Sequence, residues 1–186
     1  MAVNSFMVPL GTPAPPFALP SLGGQVVSSD VATGRPLLVM FLSNHCPYVR
    51  HIERELSSLV AEHAEDVAAV AICSNDIDNY PDDGPGGLAE QAQRAGFTFP
   101  YLLDETQQVA LAYRAACTPD FFLYDADGKL AYRGEFDESR PRNDAPVTGR
   151  ALRAALELVV AGQPVGGPQM PSLGCGIKWK LGVNPA

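Results

Sequence analysis

Residues 36–50 read Pro-Leu-Leu-Val-Met-Phe-Leu-Ser-Asn-His-Cys-Pro-Tyr-Val-Arg. The apolar run Pro36 to Leu42 is continuous and bounded by turn residues, which suits a strand buried on both faces. Pro47 fits the first position of a helix, where its missing N–H costs nothing. Beyond it Val49, Ile52, Leu56, Leu59 and Val60 recur on one helical face, so a helix is predicted over Pro47 to Glu65. Val67 to Cys73 reads as a second buried strand. The three segments make a βαβ unit with a right-handed crossover. Cys46 stands at the turn where the first strand becomes the helix.

Working outward, the loop Ser74 to Gly87 is acidic and carries Pro81 and Pro85. A helix is expected over Leu88 to Ala95, stopped by Gly96. Asp104 reads as the N-cap of a helix running to Arg114. Phe121–Tyr124, Asp125-Ala-Asp-Gly128 and Lys129–Arg133 form a predicted hairpin with the Asp-Gly pair at its turn. Thr148 to Ala161 is the last predicted helix. The two ends are rich in proline and glycine, and read as an extended N-terminal segment and a flexible tail. The order is that of an α/β protein: a single domain over residues 1–186, with an N-terminal extension (1–35), a core (36–161) and a C-terminal tail (162–186).

Composition narrows the function. The chain has 186 residues, 46% of them hydrophobic and 18% charged, enough to bury a core without a disulfide framework. A net charge of −8 argues against nucleic acid and anionic membranes as partners, since both require a basic face. No apolar run approaches membrane-spanning length. The first ten residues carry no Lys or Arg and no secretory signal pattern, so the cytoplasm is the expected compartment, where thiols stay reduced. The acidic loop residues Asp76, Asp78, Asp82 and Asp83 do not follow calcium-loop spacing and read as a solvated loop. His45, His51 and the cysteines lack the usual zinc or copper spacings; no metal and no cofactor is expected.

Chemistry concentrates at Cys46. A thiol at a helix N-terminus faces unpaired N–H groups and the positive end of the helix dipole, and both favour the reactive thiolate. His45 and Arg50 are placed to add to this. A depressed Cys46 pKa and an accessible sulfur are therefore expected. A deeply buried Cys46 would count against the catalytic assignment.

Four stretches together resemble the peroxiredoxin-like branch of the thioredoxin superfamily, the alkyl-hydroperoxide-reductase and thiol-specific-antioxidant group. They are Pro13–Leu19, Ser43–Tyr48, Cys117–Asp125 and Pro171–Trp179. The resemblance implies a thioredoxin-like fold, a central mixed β-sheet flanked by helices. It also implies that Thr118–Pro119 is a cis bond beside the active-site cysteine, and that the substrate is a protein disulfide or a hydroperoxide, with an external thiol as reductant.

Two departures qualify the resemblance. A thioredoxin has a second cysteine three residues on, where this chain has Val49. A peroxiredoxin carries P-x-x-x-T-x-x-C, where this chain has Val39 and Ser43, and its arginine position falls on Pro119. Ser43 is placed to donate a hydrogen bond to a peroxide oxygen. Slow disulfide reduction and slow peroxide reduction are both expected.

Of the four cysteines, Cys73 reads as a packed, inert thiol. Cys117 either approaches Cys46 or turns into the core. Cys175, flanked by Gly174 and Gly176, suits resolution of a mixed disulfide or sulfenic acid. Ile177 and Trp179 predict that this tail packs as an ordered strap, against the chain itself or a second subunit; a homodimer fits. The site expected from the sequence is thus Cys46, Cys175, Cys117, Ser43 and Pro119. Its function is thiol–disulfide oxidoreduction with Cys46 as nucleophile. The alternatives are a peroxiredoxin-like thiol peroxidase and a non-catalytic metal- or partner-binding module.

Overall fold

The computed structural model describes residues 2–183. In chain order the elements are β1 (Ala2–Asn4), β2 (Ala18–Pro20), β3 (Val26–Ser28), β4 (Leu37–Phe41), α1 (Pro47–Glu62), β5 (Ala68–Cys73) and α2 (Pro85–Ala95). They continue with β6 (Tyr101–Leu103), α3 (Gln108–Tyr113), β7 (Cys117–Thr118), β8 (Asp120–Tyr124), β9 (Leu130–Gly134), α4 (Arg150–Val160) and β10 (Leu173–Gly176). None of the helices among the described residues is long and apolar enough to cross a membrane.

The central sheet has the order β6-β5-β4-β8-β9. β4 pairs parallel with β5 and antiparallel with β8, so the sheet is mixed and the fold is thioredoxin-like α/β. Alternation along β4 explains why its run is wholly apolar. Leu38, Met40 and Leu42 face one core with Val49, Ile52 and Leu56 of α1 and Leu152 and Leu156 of α4. Leu37, Val39 and Phe41 face the other core, with Tyr113, Phe122, Phe17 and Ile177. A strand with a core on each side has no position where a polar residue would be satisfied.

Two expectations change and one holds. Asp104 does not cap a helix. Its carboxylate accepts from Ala110 N–H at 2.9 Å and Ser74 Oγ at 2.9 Å, and α3 starts later, after Gln107 in the left-handed region (φ 62°). The N-terminal segment is not merely extended, because β2 and β3 form a hairpin, with Leu19 opposite Val27. The tail is the ordered strap that Ile177 and Trp179 predict: β10 is the middle strand of a second sheet, β1-β10-β7. Ile177 is buried and Trp179 packs against the Phe41 side of the core. Glycine is required at 174, where a Cβ would lie 2.1 Å from the Thr118 carbonyl oxygen.

Candidate active site

β4 delivers Ser43, Asn44, His45 and Cys46 at its C-terminal end, and α1 begins at Pro47. Cys46 is the N-cap residue (φ −76°, ψ 119°). Its Sγ lies 3.1 Å from the carbonyl oxygen of Thr118, to which the protonated thiol donates. The Thr118–Pro119 peptide is cis. Strand β10 pairs with β7 so that Cys175 lies opposite Thr118 and Gly176 opposite Cys117. The strap thereby sets Cys175 across from the residue that holds Cys46, close enough for each thiol to shift the other's titration. All four cysteines are free thiols.

This contact sets the electrostatics. The Cys175 thiol donating to Cys46 is the largest influence and pulls the Cys46 thiol well below its ordinary value. Burial opposes it, and hydrogen bonds from Thr118 and the Val49 N–H add to it. The same hydrogen bond, then burial, pushes Cys175 up. The negative charge settles on Cys46 because that sulfur has the helix N-terminus behind it.

Cys46 has 0% of its surface exposed. The expectation of an accessible nucleophile is therefore wrong for this conformation: the strap that supplies the second thiol also covers the first. Cys175 itself is only half-buried. Cys117 lies opposite Gly176 of the strap and is fully buried. Its Sγ donates to the Pro119 carbonyl oxygen at 3.5 Å, and burial followed by the Asp120 carboxylate pushes its thiol upward. Burial raises Cys73 too, consistent with an inert thiol.

Ser43 does not face a substrate. It is fully buried, and its hydroxyl donates to both oxygens of Asp83 at 3.0 Å. Asp83 was read from sequence as part of a solvated loop, yet it is 0% exposed. Besides Ser43 it accepts from the Asn44 N–H at 2.7 Å, the His45 N–H at 3.2 Å and the Asn75 amide at 2.7 Å, and it pairs with His45 Nδ1 at 2.6 Å. Burial alone would raise this carboxyl, but the donors from His45 and Asn75 outweigh it and the net shift is downward. A solvated acidic loop and an acidic anchor look alike in sequence, since the partners lie far along the chain. Only the run of polar residues Ser43-Asn44-His45 after a buried strand signalled a need for an acceptor.

His45 and Arg50 are likewise committed elsewhere. His45 stacks on Tyr80 with ring centroids 5.4 Å apart, and Arg50 Nε donates to the Asn44 carbonyl at 2.6 Å. Asn75 links the turn to the strap: its amide N–H donates to Asp83, and its carbonyl accepts from the Lys178 N–H at 2.8 Å. No cluster suited to a metal ion occurs among the described residues.

Residues 10–133 match the AhpC/TSA family. An uncharacterized conserved protein from Geobacillus kaustophilus is 49% identical, with 98% of each chain covered and a TM-score of 0.95. A hypothetical protein from Sinorhizobium meliloti 1021 is 44% identical, covering 96% of this chain and 99% of that one at a TM-score of 0.93. A secreted Mycobacterium tuberculosis disulfide oxidoreductase, homologous to Escherichia coli DsbE, shares the fold. It is 19% identical, with 76% of this chain and 94% of that one covered and a TM-score of 0.60. No curated protein matches the chain.

Proposed function

We propose, from the premise that the chain belongs to the AhpC/TSA family, that it is a thiol–disulfide oxidoreductase whose redox pair is Cys46 and Cys175. The observation that carries this reading is the register of the strap, which sets Cys175 opposite Thr118, the residue whose carbonyl accepts from the Cys46 thiol at the N-terminus of α1. Val49 leaves no neighbouring thiol in the helix, and the strap supplies one from the far end of the chain.

Cys46 is the nucleophile of the pair. Its thiolate attacks the Cys175 sulfur when that sulfur carries a leaving group, closing the disulfide and expelling the group. In reverse, reduction of the disulfide adds two electrons and one proton, leaving Cys46 as thiolate and Cys175 as thiol. A stabilised Cys46 thiolate favours the reduced pair, so the disulfide is an oxidising one. No contact favours a fast peroxidase: the Ser43 hydroxyl is bound to Asp83, Pro119 fills the arginine position, and Cys46 is covered.

Peptide mapping after treatment with diamide tests the pair. A Cys46–Cys175 cross-link is expected. A Cys46–Cys117 link, or four thiols still free, would refute it.

A further inference from the structure

We infer that external thiols engage this pair at Cys175 rather than at Cys46, so that the strap cysteine carries the mixed disulfide and Cys46 is the leaving thiolate. This rests on the Cys46–Cys175 pair proposed above and assigns its two sulfurs different partners.

The argument is one of access and line of attack. Exchange at a disulfide needs the attacking sulfur, the attacked sulfur and the leaving sulfur close to a line. Cys46 has no exposed surface; it packs with Leu42, Val49 and Leu88 in the core beneath the strap. A thiolate attacking Cys46 would have to arrive from within that core. Cys175 is the partly exposed member of the pair, where Cys46 has no exposed surface at all. Attack there comes from water, with the buried Cys46 sulfur departing inward onto the Val49 N–H and the start of α1.

Two further features favour the same direction. The Cys46 thiolate is the better stabilised of the two, and a sulfur that leaves as a stabilised thiolate leaves faster. On the outer side Lys178, fixed over the Tyr80 ring at 5.6 Å, stands close enough to Cys175 to favour negative charge there. In a chain of net charge −8 this is a local cation for an incoming thiolate.

The steps balance. A thiolate RS⁻ attacks the Cys175 sulfur, the S–S bond to Cys46 breaks, and Cys46 takes the electron pair as thiolate. A second RS⁻ attacks the R sulfur of the mixed disulfide and releases RSSR and the Cys175 thiolate, which takes a proton from water. Two external thiols are oxidised, and the protein disulfide is reduced by two electrons to the dithiol.

The test uses the full-length wild-type protein, oxidised with diamide and first mapped. Absence of a Cys46–Cys175 link at that stage refutes the pair itself and is distinct from the outcomes that follow. The disulfide form is then mixed with glutathione, quenched in acid at successive times, alkylated and mapped. Glutathione is expected on Cys175 with Cys46 alkylated, in about a tenfold excess or more over the opposite pattern at the earliest times. Glutathione mainly on Cys46 overturns the inference. Where the adduct turns over too fast to collect, Cys46→Ala decides: its remaining Cys175 should form a stable mixed disulfide with glutathione disulfide under native conditions. A variant whose Cys175 is modified only in denaturant overturns the inference.

Discussion

Cys46 and Cys117 both adjoin Thr118, both with 0% of their surface exposed, yet their thiols are pushed in opposite directions. Cys46 also donates to a carbonyl, that of Thr118, but it has donors around it as well: the Cys175 thiol, the Thr118 hydroxyl and the Val49 N–H. Cys117 has an acceptor, the Pro119 carbonyl, and a carboxylate, Asp120. Burial makes any charge costly, and what the burial leaves pointing at the sulfur decides whether that cost is met. A helix start offers N–H groups with no other partner. A strand end next to a buried aspartate offers the reverse.

The sharpest way to break the contrast is to remove the strap. In Gly174→Ala the new methyl would sit 2.1 Å from the Thr118 carbonyl oxygen and 2.6 Å from its carbon, both backbone atoms that cannot rotate away. Displacing β10 should cost about 3 kcal/mol and lower the rate of Cys46–Cys175 closure roughly a hundredfold. Without Cys175 as donor, the ultraviolet thiolate absorbance of Cys46 should titrate at higher pH. Wild-type closure in this variant would show that the strap is not what brings the thiols together.

Asp120 tests the other side. It is fully buried with one oxygen unpartnered, and burial raises its carboxyl to about 8, against backbone donors from Ala116, Cys117 and Phe121. The unfolded chain loses this proton near pH 4 and the folded chain near pH 8, so stability contributed by this group falls as pH rises between the two. Asp120→Asn removes the dependence and should stabilise the fold by about 1–3 kcal/mol at alkaline pH, with little change near pH 5. Urea unfolding at the two pH values measures it; an equal effect at both would mean the carboxyl is not titrating.

Asp83→Asn should cost about 1–2 kcal/mol, because an amide nitrogen would face donors from Ser43, Asn44 and His45. The wild-type contribution is present above the unfolded carboxylate value and is lost as acid protonates Asp83 below it, so the deficit should shrink in acid. Urea titrations at neutral and acid pH show whether it does. The smallest effect belongs to Cys117→Val, a volume-matched change at a thiol outside the pair. It should alter stability by less than about 1 kcal/mol and leave the disulfide closure rate unchanged. A lowered rate would place Cys117 in the redox chemistry after all.

The elements legible in the sequence are those specified by local pattern. The run 36–42, the α1 face from Val49 to Val60 and the hairpin at Asp127-Gly128 each carry their own periodicity or turn chemistry. β1, β2, β3 and β10 are three or four residues long and gain their form from partners far away: Ala2 lies opposite Cys175, and Cys175 opposite Thr118. In the site, Cys46 could be located from the strand-to-helix turn alone. Asp83 and Asn75 could not, because a buried carboxylate and a solvated one have the same neighbours in sequence. Ser43 was placed correctly in the turn and wrongly in its chemistry: its acceptor, 40 residues on, receives the hydrogen bond that a substrate would have received.

The placement of β10 between β1 and β7 has a consequence for how the protein is made. Cys46 emerges from the ribosome early, and β4, α1 and β5 can begin to associate while most of the sheet is still being synthesised. The strand that masks Cys46 and donates to it comes much later, and it joins an edge strand made first of all to one made in between. Until then a nascent chain holds a single reactive sulfur without its cover. Docking of β10 is therefore both the closing step of assembly and the step that converts an unguarded thiol into one member of a pair.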